Sequence, residues 1–188
     1  MLSTRKFYKK ERKEFKTKCL LILLAIHFLQ CSPISDDSDF NKKSQIIEKI
    51  ESISIQSKVN QELLLFQKAI FLNSVNISED EFSINKSFYV SLDFKLINSE
   101  NYGILIIYNG KECKELLNKY TKSVFFDDCT YLLHNIENEK KDFLILKKEL
   151  NFLKDFLVQF PSTNLKIEIL ERIKIIEEEI KSGVDIID

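Results

Sequence analysis

Several residue types on which common folds depend are scarce in this 188-residue sequence. It contains three glycines, two prolines, two alanines and no tryptophan. Because glycine and proline build tight turns and phosphate-binding loops, their scarcity argues against a loop-rich β-sandwich and a glycine-loop nucleotide fold. Hydrophobic residues still make up 44% of the chain, which is enough for the core of one modest domain.

Motifs that carry catalysis or bind metals are absent as well. There is no Gly-x-Ser-x-Gly elbow and no His-Glu-x-x-His helix, and His134 is the one histidine after the first forty residues. His134 could join Asp127 or Asp128 in a Ser–His–acid device, or join Cys129 and Asp128 around a metal ion. Zinc normally takes three or four protein ligands, and nothing marks an activated serine. A partly buried structural histidine is therefore the favoured interpretation, and we expect no enzyme, no cofactor and no metal site.

Charge is distributed unevenly along the chain. Residues 1–30 carry eight bases and two acids, which leaves 20 bases and 27 acids, a net charge of −7, for the remainder. Nucleic-acid backbones are bound by basic faces. We therefore expect no nucleic-acid partner.

The first thirty residues have the pattern of an export signal. A basic, polar segment over 1–18 precedes an apolar run of eleven residues over 19–29, and Cys31 follows after one intervening residue. A helix that spans a bilayer needs about 20 apolar residues, so this run is too short to span.

The segment Phe28-Leu29-Gln30-Cys31 resembles the lipobox of bacterial lipoproteins, in the loose form found in spirochaetes. Phe28 and Gln30 stand where the usual pattern has leucine and a small residue. The resemblance implies that residues 1–30 are removed and that Cys31 is acylated, for example with palmitate. It also implies anchoring in the cell envelope, in the outer rather than the inner membrane, with the periplasmic and surface faces both open.

Residues 31–41 are short, polar and acidic, which predicts a flexible tether between the lipid and a single mature domain over 42–188. Asp36, Asp37 and Asp39 could also be considered as a cation site. No glycine or glutamate follows at the spacing of a calcium loop, so the tether is the favoured interpretation.

Hydrophobic periodicity predicts an α+β fold that is mostly helical. Residues 42–73 have helical spacing with one break near 52–57, and 111–122 should form a short helix. Alternation of apolar and polar residues predicts a strand between Ser87 and Ile97, which would pair with Gly103–Tyr108 as a central antiparallel hairpin. Residues 124–126 or 129–133 are candidates for a third strand.

A helical hairpin is predicted over 142–182. Apolar stripes at helical spacing flank a break that starts at Pro161, and the second stripe ends before Gly183. The run Leu153-x-x-Phe156-Leu157-x-x-Phe160-Pro161-Ser162-Thr163 resembles a tetratricopeptide repeat of envelope lipoproteins. The resemblance implies a scaffold that contacts proteins. No second copy of this motif is found upstream.

Two cysteines in the mature part allow a covalent bond. Once Cys31 is acylated, Cys113 and Cys129 would be the remaining thiols of an exported domain, 16 residues apart. They could form a disulfide or remain two buried, unpaired thiols.

Taken together, these features predict a non-catalytic envelope lipoprotein that acts on an unknown protein partner. The alternatives are a surface lipoprotein that binds host proteins, and a small-ligand or enzyme domain in the periplasm.

Overall fold

The computed structural model describes residues 36–56, 61–141 and 144–187. The chain divides into two compact units, residues 1–39 and 40–188, and the features discussed below belong to the second. In the described ranges we find no helix that combines the length and the apolar character needed to cross a membrane.

Eight helices and four short strands occupy the described residues, which confirms a mostly helical α+β fold. In chain order they are α1 (Asp36–Gln56), α2 (Gln61–Ser74), α3 (Glu79–Ile84), α4 (Lys86–Ser91), β1 (Phe94–Ser99), β2 (Gly103–Tyr108), α5 (Lys111–Lys119), α6 (Phe126–Glu139), β3 (Leu144–Ile145), α7 (Leu146–Gln159), α8 (Lys166–Lys181) and β4 (Ile186–Ile187).

The first helix begins inside the segment for which the sequence predicts a tether. Residues 36–41 are helical rather than extended, while 31–35 lie outside the described residues. The ring of Phe40 packs edge-on against Phe88 and Tyr89, with centroids 5.2 and 6.0 Å apart. These ring contacts hold α1 against α4, so the chain is already ordered where composition alone indicated a linker.

The predicted strand between Ser87 and Ile97 is wrong in its first half. Lys86–Ser91 forms helix α4, and β1 begins only at Phe94. Tyr89 is 1% exposed and Val90 is 53% exposed, the reverse of the pattern that alternation predicted. Asp93 adopts a left-handed backbone (φ 66°), which ends the helical segment and turns the chain into the strand.

The β-hairpin itself is confirmed, with β1 and β2 antiparallel. Phe94 lies opposite Tyr108 at the base, and Ser99 lies opposite Gly103 at the turn. Among the described residues no third strand joins this sheet. The predicted third strand is therefore wrong. Its second candidate, residues 129–133, lies in α6, where helical spacing buries Cys129. A separate two-residue ladder instead pairs β3 with β4.

Two antiparallel helical hairpins follow the sheet. Helix α5 packs on α6, and α7 packs on α8, so the helical hairpin predicted near the C-terminus is confirmed. The buried side chains of the second hairpin form one core cluster of Leu146, Leu153, Phe156, Ile169, Ile173 and Ile176.

Both hairpins contain the same turn, 40 residues apart, although the sequence motif of the second turn has no upstream copy. The first helix of each ends at an aromatic residue with nearly equal dihedral angles, Tyr120 (φ −127°, ψ 63°) and Phe160 (φ −121°, ψ 65°). Three residues later, the hydroxyl of Ser123 or Thr163 accepts a hydrogen bond from the backbone N–H two positions on, at 3.2 and 3.3 Å. The first copy has Thr121 where the second has Pro161, so a search for the Phe-Pro pair misses it.

A glycine sets the path from the sheet into the first helical hairpin. Gly110 precedes α5 with φ +82°, in the left-handed region that L side chains rarely adopt. A Cβ atom there would overlap the side chain of Leu133 on α6. The close approach of the β2–α5 turn to α6 therefore requires glycine at this position.

Candidate functional site

The predicted lipidation residue, Cys31, lies outside the described residues, as does the whole of 1–30. Its acylation therefore stays a prediction. The predicted site residues that the structure does place are Cys113, Cys129 and His134.

Cys113 of α5 and Cys129 of α6 form a disulfide. Their sulfur atoms are 2.15 Å apart and their Cα atoms 5.1 Å apart, and both side chains are fully buried. Forty residues on, the equivalent positions of the second hairpin hold Leu153 and Ile169, which are also fully buried in its core. The disulfide thus occupies the place that apolar packing fills in the second copy.

A buried ion cluster lies next to the disulfide in sequence. Glu112, which is 3% exposed, contacts Lys68 Nζ at 3.3 Å and accepts a hydrogen bond from the hydroxyl of Tyr108. Lys68 also donates to Glu51 at 2.7 Å. Burial acts to lower the pKa of Lys68, but the hydrogen bond to Glu51 and the charge of Glu112 outweigh it, so the net shift is upward. Burial and the neighbouring Glu112 raise the pKa of Tyr108. The cluster ties α1, α2, β2 and α5 together as charged lysine, carboxylates and neutral tyrosine.

His134 of α6 is brought against α7, in a cluster that connects the two helical hairpins. Its Nε2 lies 2.5 Å from Glu149 Oε2, and its ring stacks on Phe152 with centroids 3.4 Å apart. Asn138 Nδ2 donates to the same carboxylate oxygen at 2.8 Å. Because the Glu149 carboxylate can only accept, we assign a proton to Nε2 in this contact.

Glu149 is the functional residue that sequence reasoning missed. Burial acts to raise the pKa of Glu149, but the hydrogen bonds from His134 and Asn138 lower it by more, so this pKa lies below its usual range. A signal was present in the sequence. Glu149 occupies the stripe of α7 between the buried Leu146 and Leu153, at spacings of three and four residues. A carboxylate on a buried helix face needs a polar partner from another element.

A cleft of about 340 Å³ opens beside this cluster, between the end of α6 and the beginning of α7. Such a volume is at the lower end of the range for small-molecule sites. The cleft is lined by His134, Asn138, Lys140, Lys141, Leu144, Ile145, Lys148 and Glu149.

Three lysines give the cleft a basic wall. Lys140 is oriented by Asn109 Oδ1 at 2.7 Å and by Glu137 Oε1 at 2.6 Å. Lys141 donates to the amide oxygen of the cluster's asparagine at 2.8 Å. Lys148 is exposed on the first turn of α7. Among the described lining residues the one carboxylate, on α7, is already bonded to the imidazole and the amide, so the three lysines outnumber it there.

The arrangement does not match the catalytic or metal alternatives considered for His134. Its ring pairs with Glu149 rather than with Asp127 or Asp128. Cys129 cannot ligate a metal as a thiolate while its sulfur is in the disulfide. No group of three or more His, Cys, Asp or Glu side chains in the described ranges could hold a metal ion. What the site offers chemically is an oriented imidazole, ammonium groups and a short apolar wall.

Comparison of the chain with protein-family models, characterised proteins and solved structures found no match.

Proposed function

We propose that this chain is an exported bacterial lipoprotein of spirochaete type, anchored by a lipid on Cys31. In this proposal its body, in the envelope and on the outer rather than the inner membrane, binds another protein and catalyses no reaction. The resemblance of residues 28–31 to a lipobox motivates the anchor.

The single structural observation that carries the proposal is the disulfide between Cys113 and Cys129. Disulfides form and persist in oxidising, exported compartments and are rare where cytosolic reductants act. A bridge buried in the first helical hairpin is consistent with a domain that folds after export, as the apolar segment and Cys31 predict.

The β-hairpin supports binding to a protein. Residues that lie opposite each other in the register point to the same side, so Leu96 and Ile104 share a face with the buried Phe94 and Tyr108. Near the turn this face emerges into solvent, with Leu96 42%, Ile104 44% and Tyr102 56% exposed. Apolar side chains that continue a core face into solvent are typical of an interaction site.

The last helix offers a less continuous surface. The face of α8 that corresponds, 40 residues on, to the face of α6 packed against α7 carries exposed charged residues. Exposed apolar residues of α8 are separated by these charges, so we assign the partner contact to the β-hairpin. The exposed charged residues are Glu171, Lys174 and Glu178, and the exposed apolar residues are Ile167, Leu170 and Ile175.

The anchor is tested by metabolic labelling with palmitate. We expect the parent chain to incorporate label and Cys31→Ala to lose it completely. Cys19→Ala is the matched control, because it removes a thiol from the same N-terminal segment and should keep the label. Retention of label by Cys31→Ala, or recovery of an unmodified N-terminus from the cytosol, would contradict the proposal.

The contact is tested by placing a photoreactive side chain at position 104, with the 82% exposed Val158 as the control position. We expect one discrete protein adduct from position 104, none from 158, and loss of the adduct in Leu96→Lys. Equal labelling from both positions would overturn the hairpin assignment. Protease treatment of intact cells then distinguishes a periplasmic from a surface location, because only a protein on the cell surface is degraded.

A further inference from the structure

The cleft beside His134 is a preformed pocket between two parts of the fold that are each held independently. Its α6 wall belongs to the hairpin closed by the disulfide, and its α7 wall belongs to the hairpin with the apolar core cluster. The His134–Glu149 contact and the stack on Phe152 join the two walls. The pocket therefore has a defined shape without any ligand.

We propose that this cleft binds a small organic anion, a carboxylate or phosphate that carries a short apolar group. Lys140, Lys141 and Lys148 hold the anionic head, and Leu144 and Ile145 contact the apolar part. This proposal uses no residue of the proposed lipid anchor or of the β-hairpin surface, so its test is independent of the proposed function.

The charge of the lining favours an anion. Among the described lining residues, three lysines occur with one carboxylate, Glu149, which is 6% exposed and bonded to both His134 and Asn138, while Lys140 also pairs with Glu137 outside the lining. Glu149 therefore competes weakly for the lysines. Two of the lysines are already oriented by hydrogen bonds, so little side-chain entropy is lost when an anion binds.

His134 lines the cleft as well, with its Nε2 held by Glu149. The β3 residues Leu144 and Ile145 are half-buried and supply the apolar wall. A ligand with a charged head and a short apolar tail matches both walls, whereas a bare anion matches only one.

The experiment titrates the full chain with hexanoate, hexyl phosphate and hexanol by isothermal titration calorimetry. We expect at least one of the two anions to bind and hexanol to bind at least about tenfold more weakly, since it lacks the charged head. Failure of both anions to bind, or equal binding of hexanol, would overturn the proposal.

A matched pair of variants locates the binding. Lys148→Glu reverses a charge on the cleft wall, and we expect it to weaken the anion that binds by about tenfold. Lys147→Glu makes the same change one residue away, at an exposed lysine that pairs with Asp185 and does not line the cleft. It should change the affinity less than about twofold. Equal losses in both variants, or no loss in Lys148→Glu, would show that the anion binds elsewhere; the unliganded Tm of each variant verifies its fold.

Discussion

Reduction of the Cys113–Cys129 disulfide should destabilise the fold by an amount set mainly by loop closure. The bridge spans a sequence separation of 16, for which the chain-entropy relation gives about 3 kcal/mol. Both side chains are fully buried, and reduced thiols remain small and apolar, so little further cost arises from exposure. In a chain of this size, about 3 kcal/mol corresponds to a decrease in Tm of about 6–12 °C.

The assay is urea unfolding of the oxidised and reduced forms, with free thiols counted under denaturing conditions. Reductant should lower the unfolding free energy of the parent by about 3 kcal/mol and leave Cys113→Ala/Cys129→Ala unaffected. The double variant should resemble the reduced parent, apart from the small loss caused by two missing sulfur atoms. If the thiols appear and the midpoint of the parent does not move, the loop-closure reasoning is refuted.

Three further predictions concern other positions. Gly110→Ala should destabilise the fold by at least about 2 kcal/mol, because the methyl group meets both a left-handed backbone and the neighbouring helix, and thermal unfolding measures the loss. Glu112→Gln should cost about 3 kcal/mol in urea unfolding, because the buried ammonium group of Lys68 then loses the negative charge beside it. Glu149→Gln should cost about 2 kcal/mol at neutral pH and progressively less below about pH 4, because a carboxyl with a lowered folded-state pKa stabilises above its unfolded pKa and loses that contribution as the pH falls through the folded-state pKa.

Each of these predictions has a matched control. Gly103→Ala shares the positive φ but has no atom within 4 Å of the new methyl group, so it should cost only about 1 kcal/mol. Glu115→Gln removes an exposed pair with Lys119 and should change stability by less than about 0.5 kcal/mol. Equal effects within either pair would contradict the structural explanation. For Glu149→Gln, a cost that does not diminish in acid would show that packing rather than ionisation is responsible.

Segments with a sustained helical period were predictable from the sequence. The stripes around Phe156 and Ile173 predicted α7 and α8, and the polar break between them was found where it was expected. The segment before Phe94 was not predictable in this way, because six residues of alternating character fit a strand and a short helix about equally well. The contact of Tyr89 with Phe40 of α1 favours the helix, and it comes from a distant part of the chain.

The candidate site shows the same limit. His134 was identified as the one histidine after the first forty residues, but its partner was sought at Asp127 and Asp128 because they are near in sequence. On a helix, however, residues six and seven positions earlier lie about two turns away along the axis. Glu149 lies 15 residues further on, beyond a chain reversal, and reaches the ring because α7 packs back along α6.

By itself, the sequence determined which residues form amphipathic helices, where the C-terminal hairpin turns and which two thiols follow Cys31 in the chain. These properties depend on backbone hydrogen bonds and side-chain spacing within a few residues. Only the tertiary structure decided that the turn of the second hairpin also occurs in the first, that Cys113 meets Cys129, and that a histidine, a buried carboxylate and three lysines surround one cleft. Such partners are selected by how whole elements pack, which depends on the sum of many distant contacts and leaves no fixed spacing in the chain.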